Sequence, residues 1–201
     1  MQGIKLDGSY AHAYRVRGHA HFERSEYAEA IADYNVVLGV VDCIECRGVR
    51  ARAYGILERW EDAIKDLEHL MDIDPETPKY YWIRGLIRSK LKRWRLAAKD
   101  FDTFITKNPA NRTAIALQYR GAAYSSDQVW DKALDDFTQS LKLGAAVKTF
   151  CLRGRLYCCM RDWDHALADF EQALCLDPSC EEAKLGYAHV CIPHNPLPLS
   201  M

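Results

Sequence analysis

Two cysteines, Cys43 and Cys46, form the only C-x-x-C motif in the chain, and such a motif could bind a metal ion or cycle between dithiol and disulfide. A structural zinc site needs a second such pair, or two histidines at short spacing, and neither lies nearby in the sequence. A redox C-x-x-C motif usually begins a helix in a fold that contains strands, and this sequence has no strand signal. We therefore interpret these cysteines as structural thiols.

The histidines and cysteines nowhere combine with a positioned carboxylate in the pattern of a catalytic nucleophile. Phosphate-binding loops of the Walker or dinucleotide type are also absent from the sequence. We therefore expect a protein that is not an enzyme and that uses neither a cofactor nor a metal ion.

The strongest pattern in the chain is a unit that occurs five times. Each unit contains an arginine followed by a small residue, then an aromatic residue, an alanine three positions later and an aspartate three positions after the alanine. A fixed period of this length predicts a solenoid, in which each unit buries its apolar face only against its neighbours. The units are separated by 33, 34, 36 and 33 residues, measured between the alanines Ala30, Ala63, Ala97, Ala133 and Ala166.

Each unit has the pattern of two helices joined by a turn. The small residue on the first helix and the alanine on the second allow the two backbones to approach closely. A bulky residue four positions after the alanine lies on the same helical face. The aromatic residues that mark the turns are Tyr27, Trp60, Trp94, Trp130 and Trp163, and the bulky residues are Tyr34, Leu67, Phe101, Phe137 and Phe170.

This pattern resembles the tetratricopeptide repeat (TPR) family, which has a glycine in the first helix, an alanine in the second, a later aromatic residue and a terminal proline. The match covers nearly the whole chain, although the second unit has Ala51 in place of glycine. The resemblance implies an all-α fold, namely a right-handed superhelical α-solenoid of about five helix-turn-helix units with a C-terminal capping helix. We expect repeats at residues 11–43, 44–77, 78–113, 114–146 and 147–180, a capping helix at 181–192 and a proline-rich tail at 193–201.

Residues 1–10 resemble the end of a preceding repeat. Residues 2–9 align with residues 172–179 at an offset of 170 residues, which is five average periods of 34. We therefore expect the chain to be a truncated form or isoform of a longer array.

The arginine of each unit stands where the family pattern has an apolar residue. A buried charge needs a counter-charge close by, and the aspartates are the obvious partners. An arginine row that binds an anionic ligand is the alternative interpretation. We expect an ion ladder, within repeats or between neighbours, that fixes the register of stacking and consists of Arg17, Arg50, Arg84, Arg120 and Arg153 with Asp33, Asp66, Asp100, Asp136 and Asp169.

The resemblance also implies that partner peptides lie on a concave face lined by the first helices. Trp82 is the only tryptophan outside the turn positions, so it is a candidate binding hot spot, although it could instead cover a neighbouring helix. The basic side chains on this face suit an acidic, or mixed acidic and aromatic, peptide. The candidate partner-binding residues are Arg15, His19, Arg52, Lys79, Trp82, Leu86, Lys90 and Arg155.

One subclass of the family binds the C-terminal carboxylates of chaperones through Lys, Asn and Arg on successive first helices. The positions that require asparagine hold His19 and Val49 in this chain. We therefore expect no chaperone binding through such a carboxylate clamp.

Charge is nearly balanced along the 201 residues, with 27 basic and 28 acidic side chains, so we expect no binding to duplex nucleic acid. No apolar stretch is long enough to span a membrane, and the start lacks a secretory signal. We expect a cytoplasmic protein, with the nucleus or another intracellular compartment as alternatives, whose eight cysteines are mostly reduced.

These expectations combine into a noncatalytic scaffold or adaptor that binds a segment of a partner protein in the concave groove. One alternative is a thiol-based redox or metal-binding protein that uses Cys43 and Cys46. The other is an architectural subunit of a larger assembly, which would use its convex face and its ends.

Overall fold

The structure is a computed structural model that describes residues 8–107, 113–144 and 146–194. These residues form α-helices and no β-strand, which confirms the all-α fold. None of the described helices combines the length and the apolar composition needed to cross a bilayer. In chain order the helices are α1 (Gly8–Glu23), α2 (Tyr27–Leu38), α3 (Ile44–Ile56), α4 (Trp60–Ile73), α5 (Pro78–Lys90), α6 (Trp94–Lys107), α7 (Ala114–Ser126), α8 (Trp130–Leu143), α9 (Val147–Met160), α10 (Trp163–Leu176) and α11 (Glu181–His194).

The two ends of the described chain differ from the predicted boundaries. Helix α1 begins at Gly8, so residues 8–10 belong to the first helix rather than to a separate remnant, and residues 1–7 lie outside the described part. Helix α11 continues to His194, two residues beyond the predicted end. Pro193 lies in the last turn of this helix, where a proline removes a single backbone donor. Residues 195–201 of the predicted tail lie outside the described part.

The chain divides into two compact units, Met1–Leu91 and Lys92–Met201. The first unit contains α1 to α5 and the second contains α6 to α11. The boundary falls within the predicted third repeat, between α5 and α6. Within the first unit α1 packs on α2 and α3 on α4, and within the second unit α7 packs on α8 and α9 on α10. Each unit is therefore built from helical hairpins.

The turn inside each repeat has one backbone geometry. The residue two positions before the aromatic adopts a left-handed conformation, with φ between 57° and 62°, at Ser25, Glu58, Lys92, Gln128 and Arg161. Such a residue ends the first helix and reverses the chain. In four of these turns the next N–H is seen to donate to the carbonyl five residues back: Glu26 to His21, Arg59 to Tyr54, Val129 to Tyr124 and Asp162 to Tyr157, at 2.8–2.9 Å. The aromatic residue then begins the second helix, as Trp60 begins α4.

The core of each hairpin is a bulky residue on the second helix that packs against a small residue on the first. A Cβ atom added to Gly121 would lie 2.9 Å from the ring of Phe137, so only glycine fits there. The second repeat carries Ala51 at this position because its partner is Leu67, which has no ring. The five repeating alanines and the bulky residues that follow them are all buried.

Candidate protein-binding surface

Arginine and aspartate side chains clamp the two helices of a repeat together. In each pair that lies within one unit, Nε donates to Oδ2 at 2.8 or 2.9 Å and Nη2 donates to Oδ1 at 2.6 or 2.7 Å. This is the bidentate geometry of strong arginine–carboxylate pairs. The pairs are Arg17 with Asp33, Arg50 with Asp66, Arg120 with Asp136 and Arg153 with Asp169.

These pairs differ in their access to water. The side chain of Arg17 is 59% exposed, whereas that of Arg120 is 15% exposed and its partner Asp136 is buried. The hydrogen bonds that Arg120 and Arg153 donate to Asp136 and Asp169 raise the pKa values of the two arginines, so both guanidinium groups stay charged at any ordinary pH. Removing one partner from a shielded pair should therefore cost more stability than removing one from the open pair at Arg17.

A further hydrogen bond connects the arginine of the second, third, fourth and fifth repeats to the repeat before it. The third guanidinium nitrogen, Nη1, donates to a side chain that lies two positions after the preceding aspartate. These acceptors keep a constant spacing from the aspartates but differ in residue type, so no sequence pattern marks them. The bonds are Arg50 to Asn35 at 2.7 Å, Arg84 to Glu68 at 3.2 Å, Arg120 to Asp102 at 2.5 Å and Arg153 to Thr138 at 3.1 Å. Each of these arginines therefore joins neighbouring repeats.

In the third repeat the two residues of the predicted pair belong to different units, since Arg84 lies in the first unit and Asp100 in the second. Within the first unit Arg84 and Arg88 both donate to Glu68 of α4, at 3.2 and 3.3 Å. In the second unit Asp100 is buried, with 2% of its surface exposed. The Arg84–Asp100 pair stays a prediction.

The candidate binding residues of the first unit lie on α1, α3 and α5, and we call them the first-helix surface: Arg15, His19, Arg52, Lys79, Trp82, Leu86 and Lys90. On α1, Arg15 and His19 face a carboxylate of α3. The Glu45 oxygens lie 4.0 Å from Arg15 Nη1 and 3.9 Å from His19 Nε2, and the Glu45 side chain is 65% exposed. This part of the surface therefore carries charges of both signs rather than the basic character expected from the sequence.

The middle of the first-helix surface combines cations with aromatic rings. The exposed guanidinium of Arg52 lies over the ring of Phe22, with Cζ 4.9 Å from the ring centre. Such stacking holds the arginine side chain against the surface while its polar edge stays accessible. On α5, Lys79 and Lys90 are exposed and Trp82 is half-buried. This region offers cationic groups and part of an indole ring to a partner.

In the second unit, Arg155 of α9 is engaged by the last helix. Glu182 of α11 accepts hydrogen bonds from Lys148 Nζ at 2.8 Å and from Arg155 Nη1 at 3.1 Å. The arginine side chain remains 63% exposed. Arg155 therefore contacts α11 in addition to being a candidate partner-binding residue.

Replacing Glu182 with Gln should weaken the attachment of α11 in a pH-dependent way. Burial alone would raise the pKa of Glu182, but the hydrogen bonds from Lys148 and Arg155 outweigh it and lower the pKa below 4.5. A lowered carboxyl pKa stabilises the fold above pH 4.5, and this stability is lost as the pH falls through the folded-state pKa. Because the partners are exposed, we expect a loss below about 1 kcal/mol at pH 7. Urea titrations should show the parent–variant difference at pH 7 and its progressive loss as the pH falls through the folded-state pKa; a difference that stays constant in acid would contradict this account.

The C-x-x-C motif lies at the start of α3. Cys43 is the N-cap of this helix, its Sγ accepts a hydrogen bond from the Cys46 backbone N–H at 3.3 Å, and the two Sγ atoms lie 2.7 Å apart. Cys46 is completely buried, whereas Cys43 is half-buried and lines a cleft of about 450 Å³ together with His12 and Arg15. No group of three or more possible metal ligands occurs among the described residues.

Among known proteins, no family model matches the sequence. A serine/threonine-protein phosphatase T from Aspergillus oryzae is 30% identical over 105 residues, which cover 52% of this chain and 22% of the phosphatase. Human tetratricopeptide repeat protein 13 is 28% identical over 123 residues, which cover 58% of this chain and 14% of the human protein. The chain thus spans less than a quarter of the length of either relative.

Solved structures resemble the chain over most of its length. MamA from Desulfovibrio magneticus RS-1 superposes with a TM-score of 0.77 at 19% identity, and covers 90% of this chain and 99% of its own. YrrB, a TPR protein with an unusual peptide-binding site, superposes with a TM-score of 0.77 at 18% identity, and covers 87% of this chain and 90% of its own. Identities this low establish the fold alone. The chain has the fold of the tetratricopeptide-repeat proteins.

Proposed function

We propose that the chain is a noncatalytic scaffold or adaptor that holds a segment of a partner protein on the first-helix surface. The observation that carries the proposal is the set of accessible cationic and aromatic side chains on α1, α3 and α5, which lie outside the buried core clusters of the first unit. The peptide-binding site named for YrrB, which shares the fold, supports a role in binding peptides. Scaffold, rather than enzyme, is the function that these side chains favour.

The chemistry of the surface defines the partner segment. Arg52, Lys79 and Lys90 supply exposed positive charge, and the half-buried Trp82 supplies an apolar ring. Glu45 adds a negative charge beside Arg15 and His19, so a purely acidic segment would be repelled at that end. The best match is a segment that mixes acidic and aromatic residues and carries a basic residue where it meets Glu45.

We expect Trp82→Ala to weaken the binding of such a segment by about tenfold, because a half-buried indole is a typical interface anchor. Arg52→Glu should weaken it further, because it reverses a charge that faces the acidic residues. The peptides would be selected from a displayed random library with the full chain as bait. Fluorescence polarisation of labelled peptides would then give the affinities of the parent and variant proteins.

Lys65→Glu is the matched control, since Lys65 lies on α4 and its side chain is 77% exposed. We expect this change to leave peptide affinity unchanged. Far-UV circular dichroism and thermal melting would show that the Trp82 variant keeps its fold. Selected peptides that bind the Trp82 and Arg52 variants as tightly as the parent would remove the first-helix surface as their binding site.

Two alternative functions, an architectural subunit and a metal-binding protein, can be distinguished from a peptide-binding scaffold by simple measurements. An architectural subunit would retain its partners after both Trp82 and Arg52 are changed. A metal-binding role for Cys43 and Cys46 would give one bound zinc per chain, and these two thiols supply only two ligands. The contact between the two sulfur atoms favours thiol chemistry over metal binding at this motif.

We also propose that the protein resides in the cytoplasm. All eight cysteines are free thiols in the structure. Free thiols in this number suit a reducing compartment, in which disulfides are usually transient. Fractionation of cells with an antibody against the chain would test this location.

A further inference from the structure

The Cys43 and Cys46 thiols are close enough to react with each other. Their Sγ atoms lie 2.7 Å apart, so an approach of less than about 1 Å would reach the length of a disulfide bond. Both residues belong to the first turn of α3, where Cys43 is the N-cap. We propose that Cys43 and Cys46 form a reversible disulfide, and that this modification regulates the first-helix surface through Glu45, which lies between them in the chain. The regulatory part rests on the proposed function, whereas formation of the disulfide does not.

The two thiols have different surroundings, which assigns them different roles. Cys43 is half-buried and borders the 450 Å³ cleft, so a small disulfide can reach it. Cys46 is completely buried against Ala30, Tyr34 and Val37, and this burial, with the hydrogen bond to Cys43, raises the pKa of its thiol to about 12. Cys43 is therefore the attacking thiol and Cys46 is the resolving thiol.

The reaction is an exchange with a low-molecular-weight disulfide such as oxidised glutathione. The Cys43 thiolate attacks one glutathione sulfur, which forms a mixed disulfide and releases the first glutathione thiolate. Cys46 then transfers its proton to that thiolate and attacks the Cys43 sulfur, which releases the second glutathione. The protein dithiol loses two electrons and two protons, and one oxidised glutathione becomes two reduced glutathione molecules.

Oxidation would act directly on the first-helix surface. In the dithiol form, Cys43 Sγ accepts a hydrogen bond from the Cys46 N–H and so caps α3. The disulfide closes a ring that includes Ile44 and Glu45, and therefore constrains the backbone of the first turn. Glu45 is the carboxylate that faces Arg15 and His19, so a constraint on its position bears on the charge presented to a partner at that end.

Trypsin provides a direct test of the disulfide, because cleavage after Arg24 and Arg47 yields a peptide, Ser25–Arg47, with Cys43 and Cys46 as its only cysteines. The full chain would be equilibrated in mixtures of reduced and oxidised glutathione, alkylated and analysed by mass spectrometry. We expect this peptide to lose two hydrogen atoms and to resist alkylation under conditions in which the exposed Cys159 and Cys175 form only mixed disulfides. A peptide that stays a dithiol, or that stops at the mixed disulfide, would overturn the proposal.

Two variants test the assigned roles. Cys46→Ala should trap the mixed disulfide on Cys43, because no resolving thiol remains. Cys43→Ser, which keeps an N-cap oxygen, should leave Cys46 at least about tenfold slower to react with oxidised glutathione than Cys43 is in the parent. Equal reactivity of the two thiols would contradict the assignment. Circular dichroism of both variants would show that each is folded.

The regulatory part is tested with the labelled peptides selected on the reduced chain. We expect the oxidised chain to bind them with an affinity that differs by at least about threefold, and we expect Glu45→Gln to reduce that difference. Equal affinities for the oxidised and reduced parent would refute regulation and leave the disulfide intact. Peptides insensitive to Trp82→Ala and Arg52→Glu would refute the proposed function alone.

Discussion

Replacing Asp136 with Ala should lower the free energy of unfolding by about 3–5 kcal/mol. The change removes the carboxylate that accepts hydrogen bonds from Arg120 at 2.9 and 2.6 Å. Arg120 Nη1 would keep its hydrogen bond to Asp102. Nε and Nη2 would lose their acceptor, and the arginine side chain is only 15% exposed, so water cannot fully replace it. Urea denaturation of the full chain, followed by far-UV circular dichroism, would measure the loss.

Asp135→Ala is the matched control, since Asp135 precedes Asp136 on α8 but is exposed and bonded only to Gln139 among the described contacts. We expect a change of less than about 0.5 kcal/mol there. Arg17→Ala, at the exposed end of the ladder, should cost far less than the change at Asp136. Equal losses for Asp135 and Asp136 would show that the arginine–aspartate pairs do not hold the hairpins together.

Replacing Gly186 with Ala should destabilise the attachment of α11 by about 1–3 kcal/mol. The added Cβ would lie 2.4 Å from two carbons of the Phe170 ring, well inside contact distance. The same ring also lies close to Gly154 of α9, since a Cβ built there would be 3.0 Å from it. Either α11 moves outward or the buried ring leaves its position. Hydrogen exchange of the α11 amides, together with the urea midpoint, would report this change.

Gly55→Ala is the control for this substitution, because a Cβ at Gly55 meets no atom within 4 Å. Alanine is the better helix former, so this variant should be more stable than the parent by roughly 0.5–1 kcal/mol. Opposite signs for the two substitutions would separate the contact with Phe170 from helix propensity. A Gly186 variant as stable as the parent would mean that α11 does not pack on Phe170 as described.

The sequence predicts the hairpins because their determinants are local. Trp60 and Trp163 each begin a second helix, and the small residue and the alanine of each repeat meet the bulky residue that follows the alanine. All of these residues lie within one repeat, at separations fixed by helical geometry. The pairing of Arg17 with Asp33 follows in the same way, since an arginine in an apolar position requires a counter-charge.

Features that depend on how neighbouring repeats pack are harder to predict. The bond from Arg120 to Asp102 requires the rotation between two repeats, which residue spacing does not specify. The packing of neighbouring helices also places Glu45 beside Arg15 and Glu182 beside Arg155. These carboxylates make the binding surface less basic than the sequence alone indicates. The extent of α11 to His194 was also missed, because proline composition argued for an earlier end.

The account depends on a partner segment that binds along the first helices of the repeats. The most direct test is an NMR titration that measures amide chemical shifts as a peptide is added. A selected peptide should perturb amides of α1, α3 and α5 around Arg15, Arg52 and Trp82, and should leave the outer residues of α2 and α4 unchanged. Perturbations confined to α2 and α4, with none on the first helices, would contradict the account.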